Sequence, residues 1–151
     1  LRVGVAFGEP RVIRSMHGLR LSGEVTGPSI HAVTWLLDHF HSHVQPEIED
    51  IWRGRDFLRD FLRKALGLTA HGEYANHVLV DLHSEGFKRL VVEALARRGW
   101  IINGRYDGDL ARWALITCGS SELIRKFYAD FRLTYEAVTL KGEKVAHAAA
   151  Q

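Results

Sequence analysis

Asn76-His77-Val78-Leu79-Val80-Asp81-Leu82 opens the stretch that decides the fold, which runs on to Leu140. Val78 to Leu82 is a short, mostly apolar run, and that length predicts a strand. From Phe87 to Arg98 the period becomes helical. Phe87, Leu90, Val91, Ala94 and Leu95 share the face to be buried, and Lys88, Arg89, Glu93 and Arg97 face away. Ser84 is placed to cap this helix and Gly99 to end it. Asp107-Gly108 is the signature of a two-residue hairpin turn. The resulting register sets Ile102 opposite Trp113 and Trp100 opposite Leu115, so these four form one core face. Ser120 and Ser121 open a second helix burying Leu123, Ile124, Phe127, Tyr128 and Phe131. Leu133 to Leu140 then reads as a returning strand.

Upstream, Leu1 to Phe7 alternates with Leu1, Val3, Val5 and Phe7 on one face, and Val12 to Leu21 reads as a second extended stretch. Pro28 suits a helix start. Ile30, Val33, Leu36, Leu37, Phe40 and Val44 make a helical stripe that Pro46 ends or kinks. A further helix runs from Glu47 to Leu66, broken at Gly54 with Asp56 as a new cap, and closed by Gly67. The fold class is therefore α+β: an N-terminal strand pair and a helical hairpin over about 28–66, followed by a β-α-β-β-α-β, split βαβ, ferredoxin-like layer. Both helices of that layer, 87–98 and 121–131, are expected on one face of one antiparallel sheet. Residues 1–140 read as one α+β domain with sub-lobes 1–68 and 76–140 joined by the polar linker 69–76. Residues 141–151 read as a flexible tail.

The 151 residues suffice for one domain with its own core. Hydrophobic residues make up 46% and charged residues 25%, which excludes a disordered chain. A net charge of +2 is too mild to mark a nucleic-acid binder, and the excess of arginine over lysine, fifteen to five, is first a matter of genome composition. The lone Cys118 cannot form an intrachain disulfide, which points to an intracellular, cytoplasmic protein. No apolar run approaches the ~20 residues of a membrane span, so no membrane partner is expected.

Several residue groups have the type and spacing for chemistry. His39 and His43, four apart on a helix, suit a shared metal ion, but His41 lies on another side and a catalytic zinc needs three protein ligands. No metal and no cofactor is therefore expected. Cys118 lies between a strand and a helix start, where a thiol can be activated and His83 or His77 can serve as base. Gly119, Ser120 and Ser121 offer the same helix start to an anion. Asp81 at a strand end, with Asp107 and Asp109 at a hairpin, suits a carboxylate-held Mg²⁺. Arg97, Arg98, Arg105 and Arg112, interleaved with Trp100 and Trp113, suit a polyanion, as do Arg53, Arg55, Arg59 and Arg63. Trp52, Phe57, Leu58, Phe61 and Leu62 cover more than one helix face and suit an interface.

The two acidic positions resemble those of palm-type polymerases and nucleotide cyclases. Arg2 to Glu9, together with Ser22-Gly23-Glu24-Val25, is similar to the later half of a nucleotide cyclase domain. In that family the acidic strand and hairpin precede this segment, whereas here they follow it. The resemblance implies a nucleotide-handling enzyme, or a degenerate palm- or cyclase-like domain. The residues themselves favour a non-catalytic binding or assembly module, part of a larger chain or complex. It would have a protein partner or a second copy of itself. Weak nucleic-acid binding through the arginine faces is the third reading.

Overall fold

The computed structural model describes residues 3–4, 7–17 and 25–149, with backbone only at 17 and 141–149. The chain forms two compact units, Leu1–Pro46 and Glu47–Gln151.

In the first unit, α1 (Pro10–His17) occupies the region expected to be the second strand. Val12, Ile13 and Met16 recur at helical spacing, and Ile13 N donates to Glu9 O at 3.1 Å. The expected first strand, Leu1 to Phe7, lies largely outside the described residues, as does half of the cyclase-like segment. In α2 (Gly27–Asp38) the Thr26 side chain caps the helix by accepting from Ser29 N, and Pro28 stands in the first turn. No residue of α2 is buried. A π-helical turn, Phe40–Val44, leads into α3 (Gln45–Leu66). Pro46 thus starts a helix rather than ending one, because a first-turn N–H has no partner to lose.

The second unit holds a three-stranded antiparallel sheet in the order β1 (Ala70–His71), β2 (His77–Asp81), β3 (Trp113–Thr117). In register, Leu79 faces Leu115, Val80 faces Ala114 and Asp81 faces Trp113. α4 (Glu85–Arg97) connects β2 to the 98–112 segment, and α5 (Ser121–Ala149) closes the chain. Alternation sorts the strands into two faces. Ala70, Val78, Val80, Ala114 and Ile116 turn inward and share one core with Leu58 and Leu62 of α3, Val91 and Leu95 of α4, and Ile124, Phe127 and Phe131 of α5. Both α4 and α5 thus lie on one side of the sheet, joined there by α3. The molecule is mixed helix and antiparallel sheet.

Three expectations give way. The Leu133 to Leu140 strand and the tail after it are helix, continuous with α5 through Ala149. Thr134 is buried and Tyr135 and Val138 pack on the core, so the spacing 131, 134, 135, 138 is helical. The Asp107-Gly108 hairpin is also absent. Gly108–Leu110 is a 3₁₀ turn, with Gly108 at φ +58°. Asn103 bridges Leu115 through Asn103 N to Leu115 O at 3.0 Å and Leu115 N to Asn103 O at 2.7 Å. That register differs from the expected one by an odd number of residues, which reverses a side chain's face. Trp100 and Ile102 therefore pack on the helical side, while Trp113 and Leu115 face the other way. Finally, α3 is unbroken at Gly54. A Cβ there would stand 3.1 Å from Ser121 Cα and 3.3 Å from Gly119 O, so glycine allows α3 to cross the start of α5 at backbone distance.

Candidate functional site

The helix start expected to take an anion already holds one. Ser121 N and Ser121 Oγ donate to the Asp50 carboxylate at 2.9 and 2.7 Å. These bonds, the side-chain one foremost, hold Asp50 below the usual carboxylate range. Asp50 lies on α3, 71 residues away, and answers the unpaired N–H groups and positive end of α5. Ser120 Oγ accepts from Leu123 N at 3.3 Å, a local cap.

Cys118 points into the core, on the side of Ala114 and Ile116, and is 2% exposed. Burial pushes its thiol up to about 11, against the weaker attraction of Arg55. His77, its candidate base, starts β2 on the opposite face and bonds Thr117 Oγ1 through Nδ1 at 3.2 Å. A thiol held neutral and out of reach of the imidazole is a core residue.

Asp81 is buried on the outer face. It accepts from His83 N at 2.9 Å and pairs with Arg112 at 2.9 Å. The first bond steadies His83 in a left-handed conformation, φ +66°. His83 Nε2 meets Tyr135 OH at 3.1 Å. Asp107 and Asp109 sit exposed on the 3₁₀ turn and its flank. Among the described residues no group of three or more His, Cys, Asp or Glu side chains is placed to hold a metal ion. His39, His41 and His43 each engage a neighbour through Nδ1: Trp35 O, Gln45 Oε1 and Ser42 Oγ, each at 2.8 Å.

The arginines divide by role. Arg55, Arg59 and Arg63 stand four apart on α3 and donate to the carbonyls of Ala75, Gly72 and Ala70 at 2.7, 3.1 and 2.7 Å. They form a ladder that holds the edge strand β1 and the turn after it. Arg53 reaches back to Asp50. Arg98 shares the Asp130 carboxylate with Trp100 Nε1, each at 2.8 Å. Arg112 is taken by Asp81, which leaves Arg97 and Arg105 exposed. Of the interface set, Leu58 and Leu62 are fully buried in the core. Phe57, half-buried, and Phe61, exposed, meet each other and Tyr128 at tilted or edge-on angles, with the Arg125 guanidinium over the Phe57 ring. Trp52 is exposed.

Two features remain open. The first is the outer face of the sheet, which carries none of the described helices of its unit. Leu79 and Leu115 form its half-buried centre, flanked by His71 against Trp113, His77 against Thr117, and Asp81 against Arg112. Of the sequence candidates, this face gathers His77, Asp81 and Arg112, and leaves out Asp107 and Cys118. The second is a cleft of about 710 Å³ between α4 and residues 101–105. Lys88 lines it and is 6% exposed, although it was expected to face solvent. The spacing 88, 91, 92, 95 already put Lys88 beside the inward Val91 and Leu95, and that signal could have found it.

No family model and no solved structure matches the chain. Among the described residues no helix is long and apolar enough to cross a membrane. The chain is similar to the histidinol-phosphate aminotransferase of Methanothermobacter thermautotrophicus, at 26% identity over 130 residues. Those residues are 84% of this chain and 35% of that enzyme, so the chain spans about a third of the length of the curated relative it matches.

Proposed function

We propose that this chain is a non-catalytic domain of a longer enzyme of amino-group transfer, acting by packing against the rest of that enzyme. The observation that carries the reading is the likeness over 130 residues to one part of an aminotransferase. Two structural features support it. The outer sheet face presents Leu79, Leu115 and Trp113 half-buried, as a surface made to be covered. In the other unit, α2 has no buried residue, though Ile30, Trp35 and Leu37 are about half exposed or more. Burying one such side chain contributes about 1.5–3 kcal/mol, so both surfaces gain from a protein partner. On this reading the partner is the rest of the longer enzyme.

The test is amino-group transfer from an amino donor such as histidinol phosphate to a 2-oxo acid. It is measured on the natural full-length chain and on these 151 residues alone. The full-length chain should turn over and the 151 residues should not. Leu115→Glu in the full-length chain should cut turnover at least about tenfold, which corresponds to about 1.4 kcal/mol. The circular dichroism of the unit should be kept. Turnover by the 151 residues alone, or none by the full-length chain, would refute the reading.

A further inference from the structure

We propose that His39 and His43 hold one divalent transition-metal ion between their Nε2 atoms, an ion of the class that favours imidazole: Cu²⁺, Ni²⁺ or Zn²⁺. The hydrogen-bond network assigns both tautomers. His39 Nδ1 lies 2.8 Å from Trp35 O, which only accepts, so Nδ1 carries the hydrogen. Ser42 Oγ has one hydrogen and donates it to His39 O at 3.2 Å. It therefore accepts from His43 Nδ1 at 2.8 Å. Each ring is left with an Nε2 lone pair, the state that a partner on the other nitrogen gives to a metal-binding imidazole. Both rings are open to an ion from solvent.

The spacing fits a shared ion. A metal stands about 2.0–2.1 Å from an imidazole nitrogen and so about 3.2 Å from the ring centre, which sets two rings about 4.5–5.2 Å apart at angles from square to tetrahedral. The centres of His39 and His43 are 5.6 Å apart, so the pair closes by roughly half an ångström on binding. Trp35 backs both rings. It stacks on His39 at 4.3 Å and meets His43 edge-on at 5.2 Å, and an indole face favours a ring made positive by a metal. The turn Phe40–Val44 is the rare π form, which is frequent at functional sites. His41 is turned to Gln45 Oε1, so this turn supplies two ligands and water the rest. Two are too few for a catalytic zinc. The ion instead ties residues four apart across the turn. This site rests on neither the aminotransferase likeness nor the sheet face.

Cu²⁺ is the probe, because it binds such sites tightest and quenches a tryptophan beside it. Titrated into the protein, it should quench fluorescence saturably, and Trp35→Phe should remove that part of the quenching. His39→Ala and His43→Ala should each weaken binding about tenfold or more, since the second imidazole acts at the high effective concentration of a linked group. His41→Ala should leave the curve unchanged. Broadening of the His39 and His43 imidazole proton signals by Cu²⁺ reads the same site without fluorescence, and it should persist in Trp35→Phe. Ni²⁺ and Zn²⁺ should compete with Cu²⁺, and Mg²⁺ should not. Quenching that never saturates, that survives replacement of both His39 and His43, or that His41→Ala weakens as much as the other two would overturn the proposal. Competition by Mg²⁺ would overturn the assignment to imidazole.

Discussion

Glu73 lies exposed in the turn after β1, yet its carboxyl is drawn down to about 2 by the Gly72 N–H first and the Arg63 guanidinium second. An acid whose folded value lies below its unfolded one stabilises the fold at pH above the unfolded value, near 4.5. That contribution fades as pH falls toward 2. Wild type should therefore exceed Glu73→Gln in denaturation midpoint at pH 7, and the difference should shrink steadily from pH 4.5 to pH 2. A difference that stays constant over this window would show that the carboxylate's charge plays no part. The neighbouring Gly72 explains why this turn is so tightly specified: a Cβ there would stand 2.8 Å from His77 O, backbone against backbone.

The ladder of Arg55, Arg59 and Arg63 turns a helix into a clamp for a two-residue edge strand. Such a strand has too few ladder bonds of its own to stay in place. Arg55, almost wholly buried, should matter most. Arg55→Met leaves Ala75 O without its donor and should cost about 2 kcal/mol, within the range for hydrogen bonds to charged groups. Amide exchange should quicken in residues 70–76 well before it does in the β2–β3 pair. Uniform protection across all three strands would show that β1 holds without the clamp. This ladder was visible in the sequence only as an arginine-rich face, because four-residue spacing tells which side chains align but not that carbonyls await them. The elements with strong local signals were legible: β2 from Val78-Leu79-Val80, α4 from Ser84 and Gly99, and the start of α5 from Ser120-Ser121. The end of α5 was not, since Leu133 to Leu140 has branched and aromatic residues that fit either period. The hairpin register failed for a different reason. Asp-Gly is as good in a 3₁₀ turn as in a type I′ turn, and the long 98–112 segment has room for the former. Of the site, Lys88 was readable from its spacing. Asp50 at Ser121 was not, because nothing local links residues 71 apart.

At the scale of the whole molecule the two units differ in kind. Glu47–Gln151 has a core drawn from three helices and a sheet, whereas the described helices of Leu1–Pro46 have no buried residue of their own. A segment that buries so little contributes little hydrophobic stability by itself.

The Asp50–Ser121 bond also says something about the sequence of events in folding. β2 and β3 pair across α4, Asp81 with Trp113 and His77 with Thr117, separations of 32 and 40 residues, whereas the bond from α3 to α5 spans 71. Longer loops cost more entropy to close, so this contact belongs among the last to form. A contact absent from the transition state affects the rate of opening and leaves the rate of closing alone. Asp50→Ala should therefore speed unfolding severalfold, as the loss of a helix cap does, and leave refolding nearly unchanged. Stopped-flow denaturant jumps read both rates, and an equal fall in the refolding rate would place the contact in the nucleus instead. On this account the carboxylate that fills the start of α5 is a lock on the way out of the native state.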